Sequence, residues 1–232
     1  MSQIETTVIL VRHADVHNPD DIVYGRLPGF RLSATGREEA ERTAAALAAT
    51  PLAALYTSPQ RRARETARAI AARHPGLRPR VSWLLAEIRT GWQGRTNAEM
   101  TARRYNFYEP RHSPGDESLA DIRQRMLAWF TAMLREHPGQ TVAGVSHGDP
   151  VMVARLLFLG RPLTLDTLRD AALYPAKGSI TRLVFAGQGD PLALHPRISF
   201  EDPNAAAHAG VAGAEGGTPW AAHSEEAGPP RG

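Results

Sequence analysis

Val11-Arg12-His13 follows directly on the apolar run Thr7-Val8-Ile9-Leu10, so a guanidinium and an imidazole stand at the end of a predicted buried strand. Far downstream, Thr141-Val142-Ala143-Gly144-Val145 runs in the same way into Ser146-His147-Gly148. Open α/β sheets bind ligands beyond the carboxyl ends of their strands, so two parallel strands that each end in histidine bring both imidazoles to one edge. Two other segments add to the set. Ser58 through Ala67 puts Arg62 in the first turn or so of a helix, where its side chain and the backbone N–H dipoles favour one anion jointly. Leu85-Ala86-Glu87 leaves a lone carboxylate at a strand end, and Gly148 is a place where a ligand can approach the backbone. Two arginines, two histidines and one glutamate are what phosphoryl transfer through a phosphohistidine needs. Taken singly, each histidine reads as a core or capping residue; it is the joint pattern that favours a site.

The elements that must position these groups alternate along the chain. After the first strand comes a Gly/Pro-containing loop over 14–35, then a helix from Arg37 to about Ala49 with Glu38, Glu39 and Glu41 in its first turns, where negative charge suits the helix dipole. Ala54–Thr57 reads as a short strand. Ser58 is expected to cap the next helix with Pro59 at its first position, and the Arg/Ala-rich segment runs to about Arg73. Val81–Leu85 reads as another strand, followed by a loop-rich insert from Glu87 to about Gly115. From Glu117 to Glu136 the spacing of Leu119, Ile122, Met126, Phe130 and Met133 is helical. The Thr141 strand, a helix over Pro150–Leu159, and strands over Ser179–Phe185 and Leu192–Phe200 complete the pattern. Strands alternating with helices predict a three-layer α/β/α sandwich with a mostly parallel central sheet.

Composition narrows the classes. The 232 residues are 42% hydrophobic and 22% charged, enough for one sizeable core. No apolar run reaches a membrane span, and Met-Ser-Gln-Ile-Glu lacks the pattern of a signal peptide, so a cytoplasmic location is expected. With no cysteine, disulfides, zinc-thiolate sites and thiol nucleophiles are excluded together. The net charge is +3 and Lys177 is the single lysine; the arginines are scattered rather than clustered in a basic stripe with interleaved aromatics, which argues against nucleic acid. Beyond about Asp202 alanine, glycine and proline take over, and residues 201–232 read as a disordered tail behind a single domain over 1–200.

These segments, in this order, resemble the histidine phosphatase superfamily, its phosphoglycerate mutase-like branch 1. The family's Leu-Val-Arg-His-Gly-Glu opening stands here as Leu10-Val11-Arg12-His13-Ala14-Asp15, its Leu-Thr-x-x-Gly as Leu32-Ser33-Ala34-Thr35-Gly36, and its Ser-Pro-x-x-Arg-Ala-x-x-Thr-Ala as Ser58–Ala67. A Gly-Glu-Ser element is altered to Gly115-Asp116-Glu117-Ser118, and Val-Ser-His-Gly is intact at 145–148. The resemblance spans about 6–185 and implies a phosphoglycerate mutase-like fold and a cofactor-free, metal-independent phosphomonoester hydrolase of cytoplasmic type. It implies His13 as the phosphoryl-accepting nucleophile, Glu87 as general acid and base, and Arg12, Arg62 and His147 on the phosphoryl oxygens. Asn18 lies one place off a pocket asparagine of the family and is carried as a substrate-binding candidate with Gly148.

The departures bear on substrate. Ala14 and Asp15 stand where glycine and glutamate are usual, and Glu87-Ile88-Arg89-Thr90-Gly91-Trp92-Gln93-Gly94 compresses the family's stretch after its acid, leaving Asp15 and Glu99 as weaker candidates for that role. His13 and His17 have a His-x3-His spacing that suits a shared metal only on a helix, and this segment reads as a loop. A mutase carries a longer basic insert that grips a second acidic group; the insert here is shorter, although Arg103, Arg104, Arg111 and His112 are available. The expectation is therefore a phosphatase acting on a small phosphorylated substrate, with inorganic phosphate as product and ligand. The alternatives are a phosphoglycerate mutase-type phosphotransferase and a non-catalytic phospholigand or protein-binding module. A homodimer is the remaining partner expectation, with neither membrane nor nucleic acid involved.

Overall fold

A computed structural model describes residues 4–209. Six strands, β1 (Glu5–Arg12), β2 (Leu52–Thr57), β3 (Arg80–Val81), β4 (Thr141–Ser146), β5 (Ile180–Ala186) and β6 (Arg197–Glu201), form one sheet in the order β3-β2-β4-β1-β5-β6. The β3–β2, β2–β4 and β4–β1 pairs are parallel, and β5 alone runs against the rest, antiparallel to both β1 and β6. The mostly parallel sheet is thus as expected.

Both faces are covered, which is why the strands read as continuous apolar runs. Side chains alternate across a strand. Val8 and Leu10 of β1 pack with α4 (Leu119–Glu136) and α5 (Gly148–Phe158), whereas Ile9 and Val11 pack with α1 (Ala34–Leu47) and α2 (Arg61–Ala72). The first cluster holds the α4 stripe Ile122, Met126, Phe130 and Met133 together with Trp129, and the second holds Leu47, Ala63, Ala67 and Ile70. Residues 148–156 of α5 are all buried, consistent with a helix that is apolar on most sides.

Several local expectations move. α1 begins at Ala34 rather than Arg37, because Ser33 Oγ accepts from Gly36 N (2.9 Å) and caps the helix a turn earlier. α2 begins only at Arg61 with Gln60 at the cap position; Ser58 is drawn into the site and caps nothing. The strand expected over 81–85 pairs only through Arg80–Val81, and Trp83–Leu85 is a 3₁₀ turn that buries Leu85. The last strand is confined to Arg197–Glu201. Three short helices were not foreseen: α3 (Asn97–Thr101), α6 (Leu165–Leu168) and α7 (Ala205–Ala209).

Residues 201–209, expected to open the tail, are structured. Glu201 belongs to β6, Asn204 is buried and receives Arg42 Nε at 2.7 Å, and His208 of α7 reaches Glu39 at 3.2 Å. Ordered structure here depends on polar contacts of single residues, which leave no apolar period to read. The remainder of the expected tail, 210–232, lies outside the described residues. Among the described residues no helix is long and apolar enough to cross a membrane.

Candidate active site

β1 and β4 are parallel neighbours with Arg12 opposite Ser146, so the chain leaves both strands at the same edge and His13 and His147 emerge side by side. Their ring centroids are 5.0 Å apart in an edge-on arrangement, and both rings are buried. Arg62, fully buried in the first turn of α2, lies between them. Its Nε donates to His13 Nε2 (3.1 Å) and its Nη2 donates to His147 Nδ1 (3.1 Å) and to the carbonyl of Gly25 (2.8 Å). Glu87 Oε2 faces both groups, 3.5 Å from Arg62 Nη2 and 3.4 Å from His147 Nδ1.

The hydrogen bonds define the tautomers. His13 Nδ1 is 2.8 Å from the Ala14 carbonyl, which can only accept, so the proton sits on Nδ1 and the lone pair on Nε2. His147 Nδ1 must accept from Arg62, so its proton is on Nε2, directed at Ser58 Oγ (2.6 Å), and Ser58 in turn donates to Gln60 Oε1. Burial, with the charges of Arg62 and Arg12, holds the His13 pKa well below its ordinary value; burial, Arg62 and His13 do the same for His147. Both rings are therefore neutral. Burial raises the Glu87 pKa against the pull of Arg62, and the negative charge of Asp149 adds to the rise.

Arg12 completes the group from the end of β1. Its Nη1 donates to the Pro175 carbonyl (2.7 Å), its guanidinium lies 5.3 Å from the Tyr174 ring centre, and its buried Nε has no partner among the described residues. The other strand-end and loop candidates divide. Asn18 spends its amide on Ile22, donating to its carbonyl at 2.9 Å and accepting from its N–H at 3.3 Å, which closes a local turn. Gly148 does admit a close neighbour, but it is Tyr174: a Cβ there would stand 2.2 Å from the Tyr174 hydroxyl. Asp15 is ion-paired with Lys177 and accepts from Ser33 Oγ (2.6 Å), and Glu99 is exposed in the capping box of Thr96. Of the three carboxylates it is Glu87 that faces the His13–Arg62–His147 cluster.

Two contributors were not anticipated. Gln60 Oε1 gathers Ser58 Oγ, His147 Nε2 (3.2 Å) and the Glu87 N–H (3.2 Å); the residue lies inside the quoted motif, but its reach to 147 has no signature. Arg26 donates its Nε to the Glu87 carbonyl (2.7 Å) and pairs with Glu117 (2.9 Å), which also binds Arg125 (2.9 Å). That triad fixes the backbone from which Glu87 projects. His13, Glu87 and His147 also offer three potential ligand atoms within 4.8 Å of one another. A cation held there would face the Arg62 guanidinium, hydrogen-bonded to both rings, at close range. Like charges in a buried setting disfavour that occupant, whereas an anion is favoured.

Fold and site together define an α/β protein whose parallel-sheet edge presents two neutral histidines, two arginines and a carboxyl group with a raised pKa. Residues 8–195 match the histidine phosphatase superfamily (branch 1), and the chain belongs to that family. Membership makes it an enzyme of phosphatase or mutase type. The uncharacterized protein Rv0525 of Mycobacterium tuberculosis is 39% identical over 190 residues, 79% of this chain and 92% of that one. Among solved structures, Bacillus stearothermophilus YhfR superposes with a TM-score of 0.71 at 26% identity, covering 85% of this chain and 96% of the other. The mycobacterial glucosyl-3-phosphoglycerate phosphatase Rv2419c gives 0.68 at 23% identity over 85% and 98%. The phosphoserine phosphatase of Entamoeba histolytica, in complex with 3-phosphoglyceric acid, gives 0.65 at 22% over 84% and 96%. At those identities the last two share the fold.

Proposed function

We propose that this protein is a metal-independent phosphomonoester hydrolase acting on a small phosphorylated substrate through a phosphohistidine on His13. The observation that carries the reading is the state of that ring: its Nδ1 proton is tied to the Ala14 carbonyl, and the lone pair of Nε2 is aimed into the Arg62–His147–Glu87 cluster. Nε2 attacks phosphorus in line as the bond to the ester oxygen breaks, and the protonated Glu87 carboxyl gives its proton to that oxygen. Arg62 turns its Nε–H from His13 to a phosphoryl oxygen; Arg12 and the His147 ring face the others, so positioning and charge stabilisation supply most of the rate. The Glu87 carboxylate then takes a proton from water, whose oxygen attacks phosphorus, the P–N bond breaks, and inorganic phosphate leaves.

Hydrolysis is favoured over transfer between two substrate oxygens by the insert. Four of its basic side chains have partners within the protein: Arg103 stacks on Trp92 (4.1 Å to the ring centre), His112 packs edge-on against the same ring (4.7 Å), Arg104 pairs with Asp166 (2.9 Å) and Arg111 lies 3.8 Å from Asp121.

The test is phosphate release from an aryl phosphate in the presence of a chelator, by the intact protein and by His13→Ala, together with an acid-labile, alkali-stable phosphoryl label on the protein. Release and label that survive chelation and disappear in His13→Ala support the reading. Activity that the chelator abolishes, or that His13→Ala retains, overturns it.

A further inference from the structure

We propose that Asp149 is a positioning residue of this site, its buried carboxylate fastening the loop that anchors Arg12 to the helix that carries His147. The inference rests on the phosphoryl-transfer reading above and extends it to a group that touches neither substrate nor nucleophile.

Asp149 is 4% exposed, two residues beyond His147 in the first turn of α5. Its carboxylate accepts four hydrogen bonds: from Arg169 Nη1 (2.6 Å) and Tyr174 Oη (2.7 Å) on Oδ1, and from Arg169 Nη2 (2.9 Å) and Tyr108 Oη (2.6 Å) on Oδ2. Each donor comes from a different segment. Tyr108 belongs to the insert, Arg169 to the end of α6, and Tyr174 to the loop before β5; Arg169 also donates to the carbonyl of Tyr105 (2.7 Å). Burial alone raises the pKa of this carboxyl, but the charge of Arg169 and the hydrogen bonds from Arg169, Tyr108 and Tyr174 hold it below the usual carboxylate value. It is an anion inside the protein, bound bidentately, and such a fork fixes direction as well as distance.

The segment it holds is the one that matters for Arg12. Tyr174 lies beneath the Arg12 guanidinium, and the next residue, Pro175, supplies the carbonyl that receives Arg12 Nη1 at 2.7 Å. Tyr174 also occupies the space over Gly148, directly after His147. Through one carboxylate, the loop that sets the orientation of Arg12 is therefore tied to the turn that sets His147. Among the described residues, the side-chain contacts that orient the Arg12 guanidinium are to 174 and 175.

Asp149 also acts on Glu87 by charge. Around Glu87 stand Arg62 from α2, His147 ahead of α5, Arg12 from β1 and Arg26 on its backbone carbonyl, with the Gln60 side-chain oxygen on its N–H. Arg62 and Arg12 favour the carboxylate; burial and Asp149 oppose ionisation. Removing the Asp149 charge moves the Glu87 titration to lower pH, an effect that packing alone does not produce.

The experiment uses the full chain and three variants, Asp149→Asn, Tyr174→Phe and Glu87→Gln. Two quantities are read: equilibrium binding of inorganic phosphate by calorimetry, and the pH profile of kcat/KM for an alkyl phosphate. For Asp149→Asn, phosphate binding is expected to weaken about ten- to a hundredfold, the scale of a misplaced binding group, and the alkaline limb to move to lower pH. Tyr174→Phe keeps the ring and the buried ion pair; it is expected to weaken phosphate binding several-fold with the limb unmoved. A folded Asp149→Asn protein with unaltered phosphate affinity and limb overturns the proposal. If that variant does not fold, Tyr174→Phe decides: weaker phosphate binding supports the proposal and unaltered binding overturns it. Glu87→Gln separates this from the mechanism itself. An alkaline limb that persists in Glu87→Gln removes the acid assignment, and the phosphate-binding comparison still stands as the test of Asp149.

Discussion

The Nε–H of Arg62 points at the Nε2 lone pair of His13 across 3.1 Å, and the other arm of the same guanidinium reaches His147 and the Gly25 carbonyl. One planar cation thus orients both rings, and a substrate phosphoryl group would enter the same field. Lysine has a single point charge and cannot span these acceptors. Arg62→Lys is expected to lower kcat/KM for an aryl phosphate by roughly 100- to 1,000-fold, the range found for removing a preorganised charge-stabilising donor. Steady-state kinetics on the folded variant measures this; a loss under tenfold would deny Arg62 the role.

The pH profile follows from two opposite shifts. On the phosphohistidine reading His13 must be neutral to attack, and its pKa lies well below the ordinary 6.5, so activity falls only at pH values below that. On the same reading Glu87 must be protonated to serve the leaving oxygen, and its pKa is raised, so the alkaline limb lies above the ordinary carboxylate range. Glu87→Gln should erase that limb and reduce the rate by about 100 to 10,000-fold. The loss should be larger for an alkyl than for an aryl phosphate, because the alkoxide is the poorer leaving group. Equal losses with both esters would remove Glu87 as the acid.

What could be read in advance has a physical boundary. Arg12, His13 and His147 were legible because the two strands preceding them are buried on both faces and therefore read as unbroken apolar runs, and Arg62 because its helix register is marked by Ala63 and Ala67 on the buried side. The 3₁₀ turn at Trp83–Leu85 reads as strand in the sequence because a short apolar run carries no period. Ser58 looked like a helix cap, and its hydroxyl went instead to a histidine 89 residues away. The Asp149–Arg169–Tyr108–Tyr174 cluster and the Arg26–Glu117–Arg125 triad were invisible for the same reason: long-range polar pairing leaves no pattern in the linear chain.

Stability should fall on acidification more steeply in the native protein than in His13→Ala. The folded ring resists protonation through burial and the nearby arginines, whereas in the unfolded chain it takes up a proton near pH ~6.5. The stability present above that pH is thus lost as pH falls from the unfolded value toward the depressed folded one, with a slope of up to about 1.4 kcal/mol per pH unit for one proton. Glu87 acts in the opposite sense, since its raised pKa adds stability that is lost as pH rises through the folded value, and it is present in both proteins. Urea titrations at pH 7 and pH 5 give the comparison; parallel declines in the two proteins would mean that His13 titrates normally in the fold.

Gly36 controls the loop that follows His13. It lies in the first turn of α1, and a Cβ added there would stand 2.0 Å from the Asp15 carbonyl oxygen and 2.7 Å from its carbon, backbone atoms two residues after His13 that cannot swing aside. The Asp15 N–H is itself held by Glu39 Oε2 at 2.7 Å, so α1 and the loop are pinned together at this point. Gly36→Ala is expected to cost about 1–3 kcal/mol through overpacking and to lower kcat/KM by up to about 100-fold as the His13 segment is displaced. Gly115→Ala makes the contrast, because its nearest neighbour is Ser113 Oγ at 3.9 Å; it should stay within about 0.5 kcal/mol of the native protein. Denaturant midpoints and kcat/KM for the two variants decide it. If Gly36→Ala unfolds and turns over as Gly115→Ala does, the loop behind His13 has slack, and the close approach of α1 is not what keeps the imidazole in place.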